Sequence, residues 1–152
     1  MISFFMVFLQ DIKTRTVQLY LFPLITILGS VLFFLKTNTE IFVWFIGYNL
    51  VLTSLVMLCL YAYSAIILKK SFLKEAFGLG DLLLCYGLCF LFPTYTFIIL
   101  LAFSILLSLV FHLIFKRKSA FQTVPLAGYM SLFFALVFAS NALSGYPNLY
   151  LF

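Results

Sequence analysis

Four carboxylic acids stand in this chain of 152 residues: Asp11, Glu40, Glu75 and Asp81. Glu40 falls in a short polar stretch with Lys36, Thr37, Asn38 and Thr39, and Glu75 sits beside Lys74, where water can solvate both. Asp11 ends an apolar run and Asp81 begins one. An ionised carboxylate at the edge of hydrocarbon costs several kcal/mol unless it is paired or hydrated, so these two are the candidates for chemistry. Two carboxylates sharing a site cannot both ionise comfortably; one keeps its proton and the pair titrates as a unit. The ionised acid can then take a proton from water while the neutral acid polarises a peptide carbonyl, which hydrolyses an amide without a covalent intermediate or a cofactor.

Each acid also has a plain structural reading. Asp11 precedes Arg15 by four residues, the spacing of an ion pair along a helix. Asp81 follows Gly80 and opens a helical run, the position of an N-cap. What separates these readings from chemistry is whether the fold brings the two acids together.

The elements that must do so lie in a bilayer. The sequence is 66% hydrophobic and 9% charged, more apolar than a water-soluble domain can cover with polar surface. Apolar stretches cover residues 17–35, 41–68, 82–115 and 119–140, and none alternates with the period of a barrel strand. Backbone amides in lipid need internal partners, so the expected fold is all-α: a polytopic transmembrane bundle of about six helices, forming one domain over residues 1–152. Residues 1–10 are apolar but lack a small-residue cleavage site, which makes them a retained first helix.

The 34 residues Leu82–Phe115 overshoot one crossing and read as a hairpin turning near Pro93 and Thr94. That choice sets the topology. It gathers Lys13, Arg15, Lys69, Lys70, Lys74, Lys116, Arg117 and Lys118 on one side, which positive charge marks as cytoplasmic, and leaves only Lys36 opposite. The predicted helices run to about Asp11, then over 17–35, 41–68, 81–92, 96–115 and 121–140, with residues 141–152 outside. Asp11 and Asp81 reach the same membrane face. The protein is therefore expected in the cytoplasmic, or inner, membrane with that site facing the cytoplasm.

The net charge of +5 comes from short clusters between spans rather than a basic face, so no nucleic-acid partner is implied. Cys59, Cys85 and Cys89 lie in apolar runs as packing residues; with no CxxC pair, no metal is expected. His112, four residues before Lys116, reads as an interfacial side chain, and the 21 Phe and 9 Tyr as lipid-facing bulk and anchors. Gly78 and Gly80 remove side chains beside Asp81, which opens the acid to a substrate backbone.

Residues 74–81, Lys-Glu-Ala-Phe-Gly-Leu-Gly-Asp, contain the string GxGD, and Asp11-Ile12-Lys13-Thr14-Arg15 lies 70 residues upstream of the second aspartate. With Val124-Pro125-Leu126 before the last helix, this pattern resembles the type IV prepilin peptidases, relatives of archaeal preflagellin peptidases. The resemblance covers nearly the whole chain. It implies an aspartic endopeptidase of GxGD type, with Asp11 and Asp81 catalytic and no cofactor. Its substrates would be membrane-inserted prepilin-like precursors, cut beside the glycine that follows a short basic leader. Val17-Gln18 and Leu83 depart from bacterial members, which often carry a proline after the first motif and a lysine two residues after the second aspartate. The family's amino-terminal region with paired cysteines, associated with N-methylation, has no counterpart in the sequence, so peptidase activity is expected without methyl transfer. Presenilin-like enzymes share GxGD but need more helices, and Pro125-Leu126-Ala127 is not their proline-alanine-leucine order. The alternative class is a non-catalytic assembly subunit or small transporter in which Asp11 and Asp81 serve as a cap and an ion site.

Overall fold

The computed structural model describes residues 1–14, 17–68, 78–115, 126–145 and 148–150. Among them are six α-helices and no strand: α1 Ile2–Thr14, α2 Leu21–Phe34, α3 Thr39–Tyr63, α4 Leu79–Leu88, α5 Thr94–Phe115 and α6 Leu126–Ser144. A π-helical turn, Ser64–Leu68, continues α3. The all-α bundle agrees with the expectation from the apolar runs. The expectations placed on Arg15, Lys69, Lys70, Lys74, Glu75, Lys116, Arg117, Lys118, Val124 and Pro125 lie outside the described residues, as does the one on the side chain of His112.

Three helical stretches are long and apolar enough to cross a membrane: Thr39–Ile66, Thr94–Phe111 and Leu126–Ser144. They bury only 17%, 22% and 28% of their most apolar windows inside the protein, so lipid must solvate the rest. This is a membrane protein. With 13, 14 and 10 residues, α1, α2 and α4 extend only about 15–21 Å and fall short of a hydrocarbon core of about 30 Å.

Helix ends differ from the sequence reading wherever a polar group claims backbone. α1 runs past Asp11 to Thr14, which places the acid inside the helix. α2 begins at Leu21 rather than Val17 because Gln10 clasps the connection: its Oε1 accepts from the Gln18 N–H at 3.0 Å and its Nε2 donates to Gln18 Oε1 at 3.0 Å. α4 begins at Leu79 with Gly78 as N-cap, so Asp81 is the third helical residue and not the cap. It ends early, at Leu88, where Asn49 on α3 donates through Nδ2 to the carbonyls of Cys89 and Phe92 at 3.0 and 2.9 Å. The hairpin turn follows, with Phe97 N–H closing on Pro93 O at 2.8 Å as α5 starts. α6 continues beyond Ser140 to Ser144 and stops at Gly145, whose φ of 71° suits the left-handed C-terminal position that glycine occupies without strain.

Two registers organise the core. α1 and α6 pack antiparallel, with Phe4 stacked on Phe134 and Phe138 at 5.8 Å each, and Phe92 against the same two rings at 5.9 and 5.6 Å. α2 and α4 run parallel: Gly80 faces Phe22, Gly87 faces Thr26 and Gly29 faces Leu91. A Cβ on Gly87 would stand 2.8 Å from Thr26 Oγ1, so this approach needs a glycine. Phe4, Phe22, Phe33, Phe92, Phe97 and Phe134 are buried, so the aromatics are core as well as lipid-facing surface. Cys85 and Cys89 are buried free thiols and Cys59 is exposed.

Asn49, fully buried on a lipid-embedded helix, is the tie that closes α4. Asn49→Ala strands the carbonyls of Cys89 and Phe92 and is expected to destabilise the protein by about 1–3 kcal/mol. Thermal unfolding in detergent, read by reaction of a thiol dye with Cys85 and Cys89, measures it; an unchanged midpoint would refute the assignment.

Candidate active site

Asp11 is carried by the last turn of α1, one turn after Val7, on the face that α1 presents to α6. It is 9% exposed, low for a carboxylate, which must therefore find donors. One donor is backbone. Gly128 N–H, at the start of α6, donates to Asp11 Oδ2 at 2.6 Å.

Asp81 arrives from the other side of the bundle on the first turn of α4. Its Oδ2 accepts from Gly78 N–H at 3.3 Å, the reciprocal half of an N-terminal cap. Its Oδ1 accepts a short hydrogen bond from Ala127 N–H. The first turn of a helix holds amides with no intrahelical partner and the positive end of its dipole, so it is a natural seat for negative charge. Here two consecutive amides, on residues whose Cα atoms are about 3.8 Å apart, take one carboxylate each. Asp11 and Asp81 are thereby held side by side.

The approach of Asp11 depends on Gly128. A Cβ at that position would lie 2.9 Å from Asp11 Oδ2, 3.1 Å from its Cβ and 3.4 Å from its Cγ. The glycines beside Asp81 have different surroundings. A Cβ on Gly78 would stand 3.0 Å from Asp81 Oδ2, so its bare backbone leaves room for the carboxylate, whereas one on Gly80 would meet only Phe22 at 3.5 Å. Gly80 thus lies toward α2.

Ala127, Gly128 and Gln10 are site residues that sequence reasoning did not single out. The signal for the first two was thin: a pair of small residues two positions after Pro125. Amides have no sequence signature, so their use could be seen only in three dimensions. Gln10 acts at one remove, holding the corner after α1 while Tyr20 Oη donates to Gln18 Oε1 at 2.6 Å. Among the described residues no three His, Cys, Asp or Glu side chains gather as metal ligands. The chemistry available is that of paired carboxylates.

The type IV leader peptidase family matches the chain over residues 1–113. The match spans Asp11, Gly78, Gly80 and Asp81 and stops before α6, which supplies the two amides. No curated protein and no solved structure matches the chain.

The closeness of α1 to α6 can be trapped covalently. With Cys59, Cys85 and Cys89 replaced by alanine, the pair Asp11→Cys and Gly128→Cys is expected to form a disulfide under mild oxidation, because Cβ atoms within about 4.5 Å can be bridged. Mass analysis after cleavage between the two helices detects it. Absence of the bridge in folded protein would contradict the seating of Asp11 on α6.

Proposed function

The chain belongs to the type IV leader peptidase family, and on that premise we propose that it is a membrane aspartic endopeptidase in which Asp11 and Asp81 activate water to cut a leader from pilin-like precursors. The observation that carries this reading is the seating of both carboxylates on the consecutive amides of Ala127 and Gly128. Separate caps or ion pairs would not require that meeting. It supports a shared proton and a shared water.

In this mechanism the ionised acid takes a proton from the water, whose oxygen adds to the scissile carbonyl carbon, while the neutral acid gives its proton to the carbonyl oxygen. The tetrahedral diol then collapses. The C–N bond breaks as the leaving nitrogen takes a proton from the acid that received one and a diol hydroxyl returns a proton to the other acid, so a free carboxyl, a free amine and the starting acid pair result. The α6 amides orient both carboxyls throughout, and such pre-orientation replaces the solvent reorganisation that the reaction would need in water.

The proposed substrate is a precursor with a short basic leader, a glycine and an apolar stalk embedded in the same membrane. A site at the edge of hydrocarbon suits such a chain, because a helix end can unwind there and meet water. The same face is proposed as cytoplasmic, since the topology gathers eight of the nine cations on it. Gly78, exposed at the N-cap of α4, leaves backbone beside Asp81 open to the substrate chain.

Cleavage of pilin-like precursors by purified protein in detergent tests the proposal. Asp11→Asn and Asp81→Asn should each reduce turnover by at least about a thousandfold, within the range assigned to acid–base groups. Gly128→Ala should reduce it by about a hundredfold, because it displaces an acid without removing it. Full cleavage by either asparagine variant would sink the aspartic mechanism.

A further inference from the structure

At the side of the bundle away from the acids the helices do not end together. Phe4, near the start of α1, and Phe92, in the turn after α4, both pack on Phe134 and Phe138 of α6. α6 runs on from Phe138 to Ser144, about 9 Å further. α3 overreaches as well: Thr39 begins it about 15 Å before Asn49, the residue that clasps the hairpin turn. α2 passes Leu91 at Gly29 and carries Phe33 one turn beyond. The ends of these three helices therefore stand around a recess above Leu91 and Phe92.

The chain itself returns to this end. After α6, Gly145 takes its φ of 71° and is held there by Asn141: Gly145 N–H donates to Asn141 O at 2.9 Å, and Asn141 Nδ2 donates to Gly145 O at 3.4 Å. Leu149, outside any helix, is only 1% exposed and joins the core cluster that holds Leu91 and Phe92. Tyr150 packs against that cluster and stacks on Phe33, with ring centroids 5.8 Å apart and planes 13° apart. Phe33 also meets Phe42 and Phe45 at the start of α3, at 5.2 and 6.3 Å, and is completely buried. Tyr150 thus completes an aromatic layer across α2 and α3, and non-helical backbone among apolar helices is tolerated where protein buries it in this way.

Beneath the layer lie polar groups. Asn49, one turn along α3 from Phe45, holds the carbonyls of Cys89 and Phe92, and its Oδ1 has no partner among the described residues. Thr53 Oγ1 meets Cys89 Sγ at 3.1 Å. From Cys89, α4 leads back over about 12 Å to Asp81. Water admitted at this end would compete with Asn49 for its two carbonyls and gain a path along α4.

We propose that Leu149 and Tyr150 form a plug that shuts the end of the bundle opposite the acids, so that water reaches the carboxylates from their own end alone. The closure does not depend on the aspartic mechanism proposed above, and its test uses no substrate.

The full chain in lipid nanodiscs, which leave both faces open, is treated with a membrane-impermeant maleimide. Two backgrounds each keep one thiol: Cys59→Ala with Cys85→Ala leaves Cys89 beneath the plug, and Cys59→Ala with Cys89→Ala leaves Cys85, one turn nearer Asp81. Tyr150→Ala should speed labelling of Cys89 by at least about tenfold and change that of Cys85 by less than about twofold, because the opening is local. Leu149→Ala reads the same closure through a second side chain and should act in the same direction. Tyr150→Phe keeps the stacked ring and should label as the unaltered chain does. Unchanged labelling of Cys89 in both alanine variants overturns the plug. So does an equal rise at Cys85 and Cys89, the mark of a bundle loosened throughout, or a Tyr150→Phe chain that labels as fast as Tyr150→Ala.

Discussion

The start of α6 is the constraint on which the site depends. A helix end in or near hydrocarbon has amides that water cannot reach freely, and a carboxylate there has charge that lipid cannot solvate. Joining the two settles both problems, and doing it twice on consecutive residues puts Asp11 beside Asp81. The pair of acids is thus a product of helix termini as much as of side chains.

Delivering two acids to one helix turn requires the rest of the bundle. α1 is set in depth by aromatic stacking of Phe4 on Phe134 and Phe138, which fixes where Asp11 meets Gly128. α4 is set by its parallel seat on α2 through Gly29 and Gly87 and by the clasp of Asn49 on the carbonyls that follow its last turn. Lipid offers little hydrophobic drive for helices to associate, so close approach at small residues and a few buried polar bonds carry the association. The glycines do both tasks here: Gly87 admits Thr26, and Gly128 admits the carboxylate itself.

Shortness has a function in this arrangement. α1 and α4 both fail to span the hydrocarbon core, and both carry an acid near the end that reaches α6. A full-length helix would hide its terminal amides at the opposite interface. The short helices place both acids and the cap of α4 against the first turn of α6.

The sequence by itself determined the membrane class, the six helices, the hairpin at Pro93 and the family pattern carried by Asp11 and the GxGD string, because lipid allows only helices and helices need apolar runs of readable length. It also marked both acids, since a carboxylate at the end of an apolar run stands out on composition alone. Helix ends were less legible: Gln10 delays α2 and Asn49 shortens α4 through polar contacts that hydropathy does not register, and Gly145 ends α6 through a left-handed backbone conformation. What only the tertiary structure decided is that the acids meet, and on what. Ala127 and Gly128 act through backbone N–H groups that every residue except proline possesses, so no spacing or composition could announce them, and only the packing of α1, α4 and α6 shows which amides are used.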